Sequence, residues 1–203
     1  MNDEKNFAAE LNPQMQALRD ATLEIEKHVS TAGWDAPVRV FALVNAKKAL
    51  AQTPQLAAEL PAEVTAVDAA DDYTLFSIEQ EGLPKADSLS ELLAQIYWPE
   101  TVDGTAISVE RIVLPPSAEV NLPENEQEAM RVLQNHPARQ DVRMVAARMR
   151  DGSTWGALRM REHDADEMVL SGSKLLESLC AALAVTFSEL PSELPLELPE
   201  NGF

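Results

Sequence analysis

The chain has 203 residues, 45% of them hydrophobic, and its 34 acidic against 16 basic side chains give a formal charge of -18. That length and apolar content support a globular core, because folding at this size removes roughly 70% of the unfolded chain's surface from water. They exclude a wholly disordered chain, while the charge repels nucleic-acid phosphates and anionic headgroups, so no nucleic-acid partner is expected.

The first segment, MNDEKNFAAELNPQ, has neither a basic start nor an apolar stretch, and residues 1–11 are expected to fray. A helix is predicted to start at Asn12 as cap, with Pro13 in the first turn, where its missing N–H costs nothing. Met15, Leu18, Thr22, Ile25 and Val29 follow a helical spacing that makes one stripe, and Gly33 is the stop. After Trp34, Asp35 and Pro37, the run VRVFALV predicts a buried strand over 38–44. Asn45 then caps a short helix through Gln52, and Pro54 opens a further helical turn.

From Glu59 to Glu91 there are nine acids and one lysine. Residues 61–72 read as a flexible connection and YTLFSIE, 73–79, as a strand. Ser88 and Glu91 form a capping box before a helix from Leu89 to about Tyr97, closed by Trp98 and Pro99. Gly104 precedes the strand TAISVERIVL, which Pro115 and Pro116 stop. A helix over about 124–134 would present Met130 and Leu133 on one side and end at Asn135, His136 and Pro137.

DVRMVAARMR and STWGALRMR, joined by Asp151 and Gly152, predict a hairpin. A two-residue turn would set Arg148 opposite Trp155 and leave Val145, Ala147, Met149, Leu158 and Met160 on the core face, whereas a longer loop would exchange partners. A last helix is expected over about 173–189, with Leu175, Leu179, Leu183 and Phe187 aligned and Cys180 beside them. Residues 191–203, within the SELP, SELP and LELP repeats, read as a flexible tail, because proline at that period removes helix donors.

No apolar run approaches the roughly 18 residues of a membrane helix, so no membrane is expected and the cytoplasm is the expected compartment. Cys180 is the single cysteine, which rules out an internal disulfide.

Residues 139–161 hold six arginines against two aspartates, a basic island in an acidic chain. In HPARQDVR, His136, Arg139 and Arg143 could hold a ligand carboxylate or phosphate, with Asp141 orienting an imidazole or a guanidinium. The bland alternative has His136 and Pro137 ending a helix and Arg139 and Asp141 tying down a strand. Arg143, Arg159 and Arg161 on one hairpin could likewise bind an oxyanion bidentately, or neutralise carboxylates within the fold. Glu24, Glu26 and His28, His136, and His163 with Asp164 and Asp166 lack metal-site spacing, so no metal and no cofactor are expected. Ser171 to Lys174 fits SxxK but without SDN or KTG, and helix capping accounts for the serines. Cys180 on an apolar helix reads as core.

EIEKHVSTAGWDAPVRVFALV, WPETVDGTAISVERIVLPPSAE and HPARQDVRMVAARMRDGSTWGALRMR together resemble an uncharacterised family of acidic actinobacterial proteins of unknown function, over about residues 23–187. The resemblance rests on Gly33-Trp34-Asp35, Trp98-Pro99, Glu110-Arg111, Leu114-Pro115-Pro116 and His136-Pro137, and it implies no catalytic residue or cofactor.

The expected architecture is α+β over residues 1–190: a mixed, largely antiparallel sheet of about five strands with long first and last helices packed on it. The expected function is that of a non-enzymatic binding or regulatory protein whose partner is a protein or a small anionic ligand, with a homodimer as an open option. The alternative is an enzyme acting on an anionic small molecule, with His136 as acid or base and Arg139, Arg143 and Arg159 clamping the substrate.

Overall fold

A computed structural model describes residues 11–58, 72–114 and 135–188, together with positions 125, 128, 131 and 132. Met130 and Leu133 of the expected helix over 124–134, the connection up to residue 71 and the SELP tail lie outside the described residues.

Helix α1, Pro13–Ser30, starts where its cap predicts: the Asn12 side chain accepts from the Met15 N–H at 2.8 Å. It stops at Gly33, whose φ of 80° suits a residue without Cβ. The stripe is buried as spaced, with Leu18, Ala21, Thr22, Ile25 and Val29 facing inward. Strand β1, Arg39–Asn45, follows, and Asn45 caps α2, Ala46–Gln52, by accepting from the Lys48 N–H. A 3-10 turn covers Pro54–Ala58. Next come β2, Leu75–Glu79, and α3, Leu89–Ala94. Ser88 caps α3 by accepting from the Glu91 N–H, while the Glu91 carboxylate reaches the N–H of Asp87. Strands β3, Gly104–Val113, β4, Gln140–Met149, and β5, Thr154–Met160, complete the expected set.

The sheet and the C-terminal region depart from expectation. The sheet has six strands, in the order β2-β1-β3-β4-β5-β6, with antiparallel pairing throughout. The sixth is β6, Leu170–Gly172, in the approach to the expected last helix. That long last helix is instead a six-residue α4, Glu177–Ala182, followed by a 3-10 turn over Leu183–Phe187. Gly156 is the physical reason. A Cβ there would lie 2.4 Å from the Leu175 carbonyl oxygen, so the missing side chain lets residues 173–176 cross β5 before the helix starts. Leu176, at φ 63°, then turns the chain. Ser171 lies in β6 and α4 has no side-chain cap, so the capping role expected of these serines is also corrected.

The hairpin differs by one step of register. Met149 N–H donates to the Ser153 carbonyl at 2.9 Å, so the loop is Arg150-Asp151-Gly152, with Gly152 at φ 94°. Asp151 stays at negative φ and its carboxylate accepts the Ser153 N–H at 2.8 Å. A three-residue loop with glycine in the left-handed position satisfies the turn without placing Asp151 there. Arg148 therefore pairs with Thr154, and Trp155 pairs with Ala147. Because side chains alternate, Trp155, Ala157 and Arg159 share the α1 face with Val145 and Ala147, and Leu158 and Met160 turn to the other face.

Both faces of the sheet are covered. On one, α1 packs Leu18, Ile25 and Val29 against Phe41, Leu43, Ala106, Val145 and Trp155. On the other, Leu92 and Leu93 of α3 and Cys180 of α4 close over Val40, Ile107, Val109 and Ala146. This explains why β1 is a continuous apolar run: Val40 and Phe41 are both buried, on opposite faces.

Candidate functional site

Alternation along β3, β4 and β5 places a polar row on the α1 face beyond the apolar core. Glu110 pairs with Arg143, and Arg143 with Arg159. Two elements close over this row, α1 above Arg159 and the Gly33-Trp34-Asp35 loop above Arg143.

Arg159 is 2% exposed and meets Glu26 of α1 in a bidentate pair, both contacts at 2.7 Å. Nη2, which donates to Glu26, also donates to Asp166 at 2.8 Å, and Nη1 donates to the Asp164 carbonyl at 3.2 Å. The Glu26 contact, with help from Asp166, pushes the guanidinium well above its ordinary range. Arg143 is 1% exposed. It donates to Glu110 at 2.8 and 3.2 Å and to the Gly33 carbonyl, and the Trp34 ring lies 4.4 Å from its guanidinium carbon. Two of the expected ligand-holding groups are thus withdrawn into the fold and paired there.

Arg139 and Arg161 come together at the surface. They line an open cleft of about 540 Å³ with Trp34 and Asp35, Glu110 and Arg111 of β3, Asn135 and Asp141. Both guanidinium groups stand 3.7 Å from one Asp141 carboxylate oxygen, and both are less than half exposed. Arg161 also makes a fork-to-fork pair with Asp35, with both contacts at 2.9 Å. That pairing holds the Asp35 carboxyl below its ordinary range and raises the Arg161 guanidinium above its own. The Trp34 ring stacks near Arg161 at 5.5 Å, and its indole N–H donates to Asp164 at 2.9 Å.

His136 sits outside this lining. Its Nδ1 accepts the Ala138 N–H at 3.1 Å and so braces the turn into β4. The other candidates are dispersed. Glu26 is engaged with Arg159, His28 reaches Glu79 at 3.3 Å, and His163 is exposed at an isolated bridge with Met160. Among the described residues no three His, Cys, Asp or Glu gather as metal ligands. Ser171 and Lys174 are exposed, whereas Cys180 is buried with its thiol pushed up by desolvation. No helix among the described residues is long and apolar enough to cross a membrane.

Sequence reasoning passes over Asp35 and Glu110 as site residues, although both stand among the segments that carry the family resemblance. The readable signal is the Gly33-Trp34-Asp35 stop of α1 combined with an acid, Glu110, on the same strand face as the core residues Ala106 and Ser108.

The cleft pairs guanidinium donors with an aromatic wall, and its carboxylates neutralise those donors. Such a surface can hold an oxyanion bidentately beside a ring. Comparison with curated proteins gives no match, and neither does comparison with solved structures. A family match covers residues 18–188, from the middle of α1 to the end of the last 3-10 turn. On that match the chain belongs to the PPA1309-like protein family, which is uncharacterised.

Proposed function

We propose that this protein is a non-enzymatic binding protein that takes a small carboxylate- or phosphate-bearing ligand in the cleft beside Trp34. The carrying observation is the juxtaposition of the partly exposed Arg139 and Arg161 with the Trp34 ring in one cleft, within a chain whose charge of -18 otherwise repels anions. Binding is favoured over proton transfer because Asp35 and Arg161 reinforce each other's ionised forms. Groups held far from titration stabilise charge and do not exchange protons near neutrality. His136 has its Nδ1 occupied by the backbone of its own turn, which favours the bracing role over that of an acid or base.

Thermal denaturation with inorganic phosphate and with acetate tests this reading. A ligand that binds the native state raises the melting temperature with concentration. Wild type should show that rise, and Arg139→Gln should lose most of it while melting close to wild type without ligand, because Arg139 lies at the surface. Equal shifts in both proteins would remove the cleft from consideration.

A further inference from the structure

We infer that Asp35 is the protein's own occupant of the anion position, an autoinhibitory carboxylate that a ligand oxyanion must displace from Arg161. This inference rests on the cleft reading above and adds how the site is controlled.

Asp35 is placed at some conformational expense. Its φ of 66° lies in the left-handed region that side-chain-bearing residues seldom adopt, yet its side chain is 75% exposed and fills no core. What the conformation achieves is polar. The Asp35 N–H donates to Glu110 at 2.7 Å, and the two carboxylate oxygens meet the two terminal nitrogens of Arg161 at equal distances of 2.9 Å. This is the geometry in which a guanidinium holds a ligand carboxylate or phosphate.

The contact is also replaceable. Arg143 and Arg159 are 1–2% exposed, which closes both guanidinium groups to an incoming anion even though Asp164 and Asp166, beside Arg159, are themselves exposed. Arg161 and Asp35 face water, and an incoming anion can exchange with the carboxylate at the surface. Trp34 is fixed independently, by Arg143 against its ring and by its N–H to Asp164. Rotation of the Asp35 side chain therefore uncovers Arg161 without moving the aromatic wall. Arg139, which shares the Asp141 oxygen with Arg161 at 3.7 Å, lines the same cleft as the uncovered guanidinium.

The test is a titration of wild type, Asp35→Asn and Arg161→Gln with inorganic phosphate and, separately, with acetate, followed through the guanidinium Nε–Hε resonances of Arg161 and Arg139. Asparagine tolerates the left-handed backbone and removes the charge. Asp35→Asn should bind at least one of the two anions about threefold tighter or more than wild type, and Arg161→Gln should abolish the response. The phosphate and acetate arms distinguish phosphoryl from carboxylate ligands. Equal affinities for wild type and Asp35→Asn would overturn the inference while leaving the cleft reading intact. No response at Arg161 or Arg139 in any variant would overturn both. Should Asp35→Asn fail to fold, Asp35→Gly, which carries no Cβ to strain at this φ, is read by the same criteria.

Discussion

A guanidinium as enclosed as that of Arg159 stays charged but has given up its hydration, so its carboxylate partners must compensate that charge. Glu26 supplies two contacts from within the fold, and the carboxylates of Asp164 and Asp166 reach it from the exposed side. Truncating Glu26→Ala should therefore cost about 3–5 kcal/mol in urea unfolding, because it leaves the cation buried with its main partner gone. The double replacement Glu26→Leu with Arg159→Met should recover most of that loss; a double variant as unstable as Glu26→Ala would show that packing, not charge, is what fails. Asp166 gives a pH dependence with a definite sign. Its hydrogen bond from Arg159 lowers the folded-state pKa below the ordinary 3.8. Its contribution is therefore complete above that value and lost as pH falls through the lower, folded-state one. The stability gap between wild type and Asp166→Asn should be constant near neutrality and close in acid; a gap that widened in acid would contradict this linkage. Glu26 itself was hard to read from the sequence. It lies four residues after Thr22 and three before Val29, on the buried stripe, but as an acid on a Glu-rich helix it belonged by type with the solvated face. Its partner is 133 residues away, and nothing in local spacing connects them.

At the scale of elements, the parts governed by local chemistry were legible. The Asn12, Asn45 and Ser88 caps, the Gly33 stop and the β-branched run of β1 depend on residues within a few positions of one another, and each element begins within a residue or two of its expected start. The parts governed by close approach were not. The hairpin register turned on which of Asp151 and Gly152 takes the left-handed conformation, a choice of one residue that reverses the facing of all of β5. The last helix was shortened by a contact from another strand. Gly156→Ala should show how tightly that contact is set, since the added Cβ would meet the Leu175 backbone at 2.4 and 3.0 Å. We expect a loss of about 1–3 kcal/mol in denaturant unfolding. Gly104→Ala should cost less, because its nearest neighbour, at 2.6 Å, is the Met149 sulfur on a flexible side chain. The reverse order would remove Gly156 as the reason the helix starts late.

For the molecule as a whole, the succession of expected helices and strands foretold the α+β class but not the division of the arginines. Six on one stretch of acidic chain suggested either an anion site or internal neutralisation, and the fold divides them: Arg143 and Arg159 are buried with Glu110 and Glu26, while Arg139 and Arg161 stand at the cleft proposed to take an anion. Register decided which went where, and register is a property of the assembled sheet. The single thiol offers a view of how that assembly opens. Cys180 is 1% exposed on the inner face of α4, donates to the Trp155 carbonyl at 3.6 Å and is desolvated enough to resist ionisation. An alkylating reagent should leave the native protein unmodified except when α4 lifts from the sheet, so the labelling rate is a clock for that event. Prompt stoichiometric labelling under native conditions would mean that the second layer is not closed. Labelling faster than global unfolding would make α4 and its 3-10 turn a separately opening flap, and labelling at the global rate would join both layers in one cooperative unit.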